Sequence, residues 1–277
     1  MKKLLCTALS MCFGFSLFAY DATAFLAPAT GVKSYTKTDY TVASKFGEYF
    51  RTPNAKYLHK FNNYGQEVEN SELTVDGKLV DKITYEYDSN GRITSQSGFD
   101  DSENILWKIV NTYDKNGLKV DESEYDAKGN LYSKSIYKYT GTNCTEEIFY
   151  NGNGALIWKN TYAYDDKGNC ILMNSYYASG ELESKKTYKY NEQNKVQEIV
   201  YFDDSEVVNK KELYRYDAKG ALTEIATYSP DNVLYLRQFY KYDAKGNVTK
   251  ITTYSIAKKF GTTVNELVGM SDFTYQY

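Results

Sequence analysis

A 26-residue period runs through most of this 277-residue chain. The phrase Tyr-x-Tyr-Asp-x-x-Gly occurs four times, and its second aromatic position recurs in steps of 26 residues with a single step of 25, at Phe61, Tyr87, Tyr113, Tyr139, Tyr164, Tyr190, Tyr216 and Tyr242. A second aromatic series with the same period lies between them, at Phe99, Tyr125, Tyr150, Tyr176, Phe202, Tyr228 and Tyr254. Fixed periods of this length indicate a repeat protein in which each unit packs on its neighbours.

Each half of the repeat predicts a tight turn followed by a strand. An Asp opens the turn and a Gly closes it, a pattern typical of a type I turn that ends in a left-handed residue and a bulge. Asn194 and Asn232 replace the Gly, and Asn is the next residue to tolerate that conformation. Tight turns at both ends make neighbouring strands antiparallel. We therefore predict an all-β fold, an elongated antiparallel β-meander of about seventeen strands in a single twisted sheet, on the order of 80 Å long.

The two ends of the chain depart from the period. Residues 25–60 are predicted as a linker and N-terminal cap, 61–254 as the tandem hairpin repeats, and 255–277 as a C-terminal cap. The segment Tyr40–Gly47 aligns with Tyr254–Gly261, so the array is bracketed by two related units. Such modified capping units would protect the terminal strands of an open sheet against edge pairing.

The first 24 residues predict a secretory signal peptide. Lys2 and Lys3 precede an apolar run over residues 4–18, and small-residue sites follow at Ala19 and at residues 22–24. No later segment is long and apolar enough to predict a membrane-spanning helix. We expect an exported protein, in the periplasm, on the outer surface or outside the cell, without a membrane span after signal removal.

Composition and motifs argue against catalysis and nucleic-acid binding. The only histidine is His59, and no Gly-x-Ser-x-Gly, His-Glu-x-x-His or phosphate-loop motif occurs. The 33 basic and 36 acidic residues are scattered rather than clustered, which excludes a basic footprint for nucleic acid. Two acidic turns, at residues 99–103 and 202–206, could offer oxygens to calcium but are more simply solvated turns. We predict no catalytic residue, no cofactor and no metal.

Two cysteines follow the signal segment, and they occupy equivalent positions in adjacent repeats. Cys144 and Cys170 should therefore lie two strands apart, on the order of 9.5 Å. A disulfide requires Cα atoms within about 7 Å of each other. The sequence predicts free thiols at both positions.

The repeat resembles two known families. Residues 240–248, Tyr-Lys-Tyr-Asp-Ala-Lys-Gly-Asn-Val, are similar to the YD repeat of RHS-type proteins, and residues 177–182, Tyr-Ala-Ser-Gly-Glu-Leu, look like the variant MORN repeat of bacterial exported proteins. The resemblance covers about residues 57–254 and implies a β-hairpin array that serves as a scaffold or binding surface. Residues 256–267 resemble the helix-loop-helix part of a LysM module, which implies a short helix near residues 264–268, although the opening strand of that module is missing.

The predicted binding surface is an aromatic face, because aromatic side chains with a polar tip suit both sugar stacking and protein contacts. Its residues are Trp107, Trp158, Tyr137, Tyr162, Tyr188, Tyr214 and Tyr240. Other repeats carry Ser133, Ser184 or Lys210 at the position of the two Trp, a variation not expected of a purely structural position.

We expect a monomeric, non-catalytic scaffold that binds a protein or glycan partner at the bacterial envelope. Two alternatives stay open. One is a purely structural spacer whose tyrosines pack only on each other. The other is an outer-membrane β-barrel, with which the alternating strands and the terminal Phe273, Tyr275 and Tyr277 are compatible, although charged mid-strand residues such as Lys186 would be costly on lipid.

Overall fold

The computed structural model describes residues 28–45, 47–259 and 261–277, so the predicted signal peptide lies outside the described residues. Eighteen antiparallel strands make up the described fold. Their bounds are β1 Ser34–Lys45, β2 Glu48–Phe61, β3 Glu67–Leu73, β4 Leu79–Tyr87, β5 Ile93–Asp100, β6 Ile105–Tyr113, β7 Lys119–Asp126, β8 Leu131–Thr140, β9 Asn143–Asn151, β10 Leu156–Tyr164, β11 Cys170–Tyr177, β12 Leu182–Tyr190, β13 Val196–Phe202, β14 Val208–Tyr216, β15 Leu222–Tyr228, β16 Leu234–Tyr242, β17 Val248–Lys259 and β18 Thr262–Gln276. The described part of the chain contains no helix that could cross a membrane.

The sheet closes on itself. Strand β1 pairs with β2 on one side and with β18 on the other, which makes an eighteen-stranded β-barrel. The predicted open, elongated meander is therefore wrong, whereas the predicted succession of antiparallel hairpins is confirmed. A twisted sheet with this many strands coils, and joining its two edges satisfies backbone groups that an open edge would leave unpaired.

The two related end segments form the closing seam instead of two separate caps. Strands β1 and β18 pair from Ser34 opposite Gln276 to Thr41 opposite Gly269. The neighbouring strand β2 and strand β18 are also the longest of the barrel, with 14 and 15 residues. The helix expected near residues 264–268 is wrong, because these residues belong to β18 and pair with β17.

An aromatic cluster fastens the seam. Tyr35 of β1 is 4% exposed, and its ring stacks on His59 with 4.3 Å between the centroids. Phe61, Phe273 and Tyr275 surround the same ring at 5.5–6.0 Å. The imidazole Nδ1 of His59 lies 2.5 Å from a carboxylate oxygen of Glu67, and both residues are buried. The single histidine is thus a packed strand residue at the seam.

The turns have the predicted geometry. In the turn between β4 and β5, the amide of Gly91 donates to the carbonyl of Asp88 at 3.0 Å, and Gly91 has a φ of 79°. The Asp88 carboxylate accepts the amides of Asn90 and Arg92 at 2.9 Å each, which explains why Asp opens the turn. Asn194 and Asn232 take φ values of 63° and 60°, as their position in the repeat predicts.

The second tyrosine of the repeated phrase serves the backbone. Eight tyrosine hydroxyls donate to carbonyls near the start of odd-numbered strands at 2.6–2.8 Å: Tyr87 to Glu67, Tyr113 to Ile93, Tyr139 to Lys119, Tyr164 to Cys144, Tyr190 to Cys170, Tyr216 to Val196, Tyr242 to Leu222 and Tyr275 to Val248. The ladder between β3 and β4 has already ended at Glu69 opposite Thr84, before the Glu67 carbonyl is reached. The hydroxyls therefore bond carbonyls that lie beyond the end of the ladder.

Replacing Tyr242 by phenylalanine is expected to lower the free energy of unfolding by about 1 kcal/mol, because the Leu222 carbonyl loses its 2.8 Å donor. Urea unfolding of the purified chain measures the change. Tyr235→Phe is the matched control on the same strand, since Tyr235 is 40% exposed and its hydroxyl bonds to none of the described residues. Equal losses in the two variants would contradict a backbone role for the Tyr242 hydroxyl.

Candidate functional site

The barrel wall has two faces of different chemistry. We name the face that carries Tyr137, Tyr162, Tyr188, Tyr214 and Tyr240 the tyrosine face, and the opposite face the lysine face. All five tyrosines are at most 9% exposed and belong to one cluster that runs along the wall. Their rings are covered by neighbouring side chains, which leaves little of each ring for a partner to contact. The predicted recognition role of these five tyrosines stays a prediction.

Trp107 lies on the tyrosine face and covers a glycine. It sits on β6 directly opposite Gly98 of β5, and it is half-buried. A Cβ atom at position 98 would lie 2.3–2.7 Å from three atoms of the indole. The absence of a side chain at position 98 therefore lets the indole pack directly against the backbone.

Replacing Gly98 by alanine is expected to displace the Trp107 ring, because no rotation of the methyl group removes the clash with the indole. We expect a loss of about 1–3 kcal/mol in the free energy of unfolding together with a changed tryptophan emission spectrum. The double variant Gly98→Ala with Trp107→Ala separates the two effects, since the added methyl has nothing to clash with once the indole is gone. If Gly98→Ala lowered the free energy of unfolding equally in the wild-type chain and in the Trp107→Ala variant, this packing would be contradicted.

Trp158 is held by a different cross-strand partner. It lies on β10 opposite Phe149 of β9, and the two rings are parallel within 3° with centroids 4.9 Å apart. Next to it on the same face, the side chains of Asn160 and Tyr162 both donate to the Glu147 carboxylate, at 3.1 and 2.8 Å. Burial and the nearby Glu147 charge raise the pKa of Tyr162. Trp158 is half-buried, so it offers a partly exposed indole on a fixed support.

The lysine face carries a row of basic residues that the sequence analysis missed. Each lies opposite a member of the second aromatic series on the neighbouring strand; for example, the Lys82 ammonium is 5.4 Å from the Phe99 ring and that of Lys185 is 5.2 Å from the Phe202 ring. The row could have been found from the period, because each member lies five residues before the second aromatic of the repeated phrase, as Lys82 does before Tyr87. Its members are Lys82, Lys108, Lys134, Lys159, Lys185, Lys211 and Arg237.

Two of these lysines explain the acidic turns. Glu103 and Glu206 occupy the position that Gly takes elsewhere, with φ values of 63° and 58°. Their carboxylates bind Lys82 and Lys185 at 2.7 and 2.5 Å, and these ion pairs help to offset the strain of the left-handed backbone. Over residues 28–45, 47–259 and 261–277, no group of three or more His, Cys, Asp or Glu side chains could hold a metal ion.

A shallow depression of about 600 Å³ lies near the seam. It is lined by Thr223, Arg237, Phe239, Tyr240, Lys241, Thr252, Tyr254 and Asn265. The guanidinium of Arg237 binds Glu224 at 2.6 Å, and Arg215 binds the same carboxylate at 2.7 Å. Burial alone would raise the pKa of Glu224, but the two arginines outweigh it and lower the pKa. Arg237 is therefore already paired with a carboxylate.

The two cysteines are buried and free, as the sequence predicts. The thiol of Cys144 donates to the Glu146 carbonyl at 3.2 Å. Burial is the largest cause of the raised pKa at both positions, to about 12 for Cys144 and about 11 for Cys170. Since the reactive species is the thiolate, both thiols should be inert in the folded chain.

Alkylation by iodoacetamide at pH 8 is expected to be at least about 100-fold slower in the folded chain than in urea, because raised pKa values leave few thiolates and burial blocks access. A thiol with a raised pKa ionises only at higher pH, so few thiolates are present in the folded chain at pH 8. Mass spectrometry of quenched samples measures the rates. Comparable rates in the folded and the unfolded chain would show that the two thiols are not buried.

No protein-family model and no curated protein matches the chain. Among solved structures, a porin-like protein from Bacteroides uniformis matches 90% of this chain and 99% of its own at 13% identity, with a TM-score of 0.48. A porin-like protein from Bacteroides vulgatus matches 88% and 98% of the two chains at 10% identity, with a TM-score of 0.30. The Photorhabdus luminescens Tc holotoxin pore matches 78% of this chain but 15% of its own at 13% identity, with a TM-score of 0.30. Likenesses of this size imply no activity, and the chain is described by its structure, a closed barrel of tandem β-hairpins.

Proposed function

We propose that this chain is an exported, non-catalytic β-barrel of the bacterial envelope that binds a glycan through Trp107 and Trp158. The observation that carries the proposal is the support of the two indoles. One packs against the backbone of Gly98 and the other is stacked on Phe149, while each remains partly exposed. A rigid aromatic surface with a polar N–H suits the apolar face and the hydroxyl groups of a sugar.

Export is supported by the signal-peptide pattern of residues 1–24. An aqueous location of the mature barrel is supported by the charges of its wall. Ion pairs join neighbouring strands on the lysine face, for example Lys189 with Glu198 at 2.6 Å, and the tyrosine face carries Lys210 with Glu212 at 2.8 Å. Neither face is apolar, which favours a barrel surrounded by water on both sides.

The binding test uses the purified mature chain on an array of bacterial envelope glycans, followed by calorimetry with the glycan that binds best. We expect the double variant Trp107→Ala with Trp158→Ala to lose about tenfold in affinity, since each aromatic stacking contact is worth about 0.5–1.5 kcal/mol and the variant removes two. Tyr132→Ala is the control, because Tyr132 is 61% exposed and lies at a bulge of β8, where it has no cross-strand partner on β7. Unchanged binding by a folded double variant would reject the proposal. If the wild-type chain bound no glycan, the proposal would also be rejected and the interpretation as a structural spacer would stand.

Membrane insertion is the second candidate, and the closed barrel with an even number of antiparallel strands is the observation that favours it. The charged residues on both faces speak against it, because either face would place Lys or Arg on lipid, at about 2–4 kcal/mol each at the bilayer midplane. The chain without residues 1–24 should therefore stay monodisperse in buffer without detergent. A strict requirement for detergent in size-exclusion chromatography would favour the membrane barrel instead.

A further inference from the structure

A lysine without an ion pair among the described residues lies on the tyrosine face, two strands away from Trp158. On β12 this face presents Ser184, Lys186 and Tyr188 in succession. Lys186 is half-buried, and its ammonium makes no ion pair and no hydrogen bond with any residue that the structure describes. It lies 5.5 Å from the centroid of the Tyr201 ring.

The charges around Lys186 leave it unbalanced. Lys210 lies on the other side of the Tyr201 ring, 4.1 Å from its centroid, and binds Glu212 at 2.8 Å. The Glu212 carboxylate also accepts the hydroxyls of Tyr201 and Tyr214 at 2.9 Å each. Its single negative charge is therefore matched by Lys210. Burial, followed by the repulsion from Lys210, lowers the pKa of Lys186 and outweighs the attraction of Glu212.

Two neighbouring hydroxyl groups lack strong hydrogen bonds to the described residues, although Tyr188 itself is buried. Ser184 lies two residues before Lys186 on the same face of β12, and its hydroxyl donates to none of the described residues. The hydroxyl of Tyr188 reaches only the sulfur of Met173 at 4.0 Å, a weak acceptor. A bound anion would neutralise the ammonium and accept a hydrogen bond from Ser184.

We propose that Lys186 and Ser184 bind the carboxylate or sulfate of an acidic sugar in a glycan of which another ring stacks on Trp158. This rests on the proposed function and specifies its ligand as an acidic glycan. Strands β10 and β12 are separated by β11, or about 10 Å across the sheet, and Lys186 lies about 13 Å farther along the strands than Trp158. Lys186 leans towards the Tyr201 ring on β13, and Trp158 stacks on Phe149 of β9, so the two side chains lean to opposite sides. A glycan that contacts both therefore spans at least about 16 Å.

Calorimetry with a galacturonic acid trimer, a sulfated galactose trimer and the neutral galactose trimer tests the proposal. We expect at least one acidic trimer to bind at least tenfold more tightly than the neutral trimer, and Lys186→Gln to abolish that preference. Lys189→Gln is the matched control, because it removes the same charge from the same strand on the lysine face, where Lys189 is exposed and paired with Glu198. Equal affinity of the wild-type chain for acidic and neutral trimers would overturn the acidic site while leaving glycan binding in place.

A second readout keeps the anion site testable if no trimer binds. Sodium sulfate is added to the chain labelled with ¹³C-lysine, with sodium chloride at equal ionic strength as the reference. We expect the Lys186 Cε resonance to shift in a saturable way with sulfate, and the Lys189 resonance to stay unchanged. A shift without any trimer binding would reject the glycan but retain the anion site, whereas no shift and no preference for an acidic trimer would reject the site itself.

Discussion

Cysteines placed at Thr36 and Thr274 are expected to form a disulfide in nearly every folded molecule. The two residues lie directly opposite each other on β1 and β18. Directly opposed residues of an antiparallel pair have Cα atoms about 4.5–5.5 Å apart, within the range for a disulfide. In an open sheet of this size the two ends would be separated by about 80 Å. The disulfide would close a loop of more than 200 residues and raise the free energy of unfolding by up to about 5 kcal/mol.

Peptide mapping under non-reducing conditions and urea unfolding with and without reductant measure the two effects. Thr36→Cys with Thr252→Cys is the matched control, because Thr252 belongs to β17, which is separated from β1 by β18. The experiment uses the chain without residues 1–24, in which Cys144 and Cys170 are buried and should not interfere. Failure of the Thr36 and Thr274 pair to crosslink in a folded chain would mean that the barrel is not closed at this seam.

Replacing Tyr35 by alanine is expected to lower the free energy of unfolding by about 3–5 kcal/mol, the usual cost of removing a buried aromatic ring. The ring is 4% exposed and lies among His59, Phe61, Phe273 and Tyr275, so its loss leaves a cavity shared by the strands of the seam. Urea unfolding followed by circular dichroism measures the loss.

Tyr64→Ala is the control for that substitution, since Tyr64 lies in the turn between β2 and β3 and is 88% exposed. It should change the free energy of unfolding by less than about 0.5 kcal/mol. A Tyr35→Ala cost as small as that of Tyr64→Ala would show that the aromatic cluster contributes little to closure.

The local features could be predicted because their causes lie within a few residues. The turn at Asp88 and Gly91 needs only a carboxylate that accepts two amides and a residue that tolerates a positive φ. Glu103 escaped prediction because its left-handed backbone is supported by Lys82, a residue 21 positions away that only strand pairing brings near. The candidate site behaves in the same way, since the alternation of the strands places Trp158 on its face but does not reveal its partner Phe149.

The sequence by itself determined the repeat, the antiparallel hairpins and the free cysteines, because neighbouring strands are joined by turns whose chemistry is local. Closure was decided only by the tertiary structure. The similarity of Tyr40–Gly47 and Tyr254–Gly261 is compatible with two caps on an open sheet or with two halves of one seam. Which of them forms depends on the twist and coiling accumulated over eighteen strands. It also depends on whether the last strand arrives where Tyr35 can pack on Phe273 and Tyr275. No single repeat contains that information, because each repeat contacts only its neighbours.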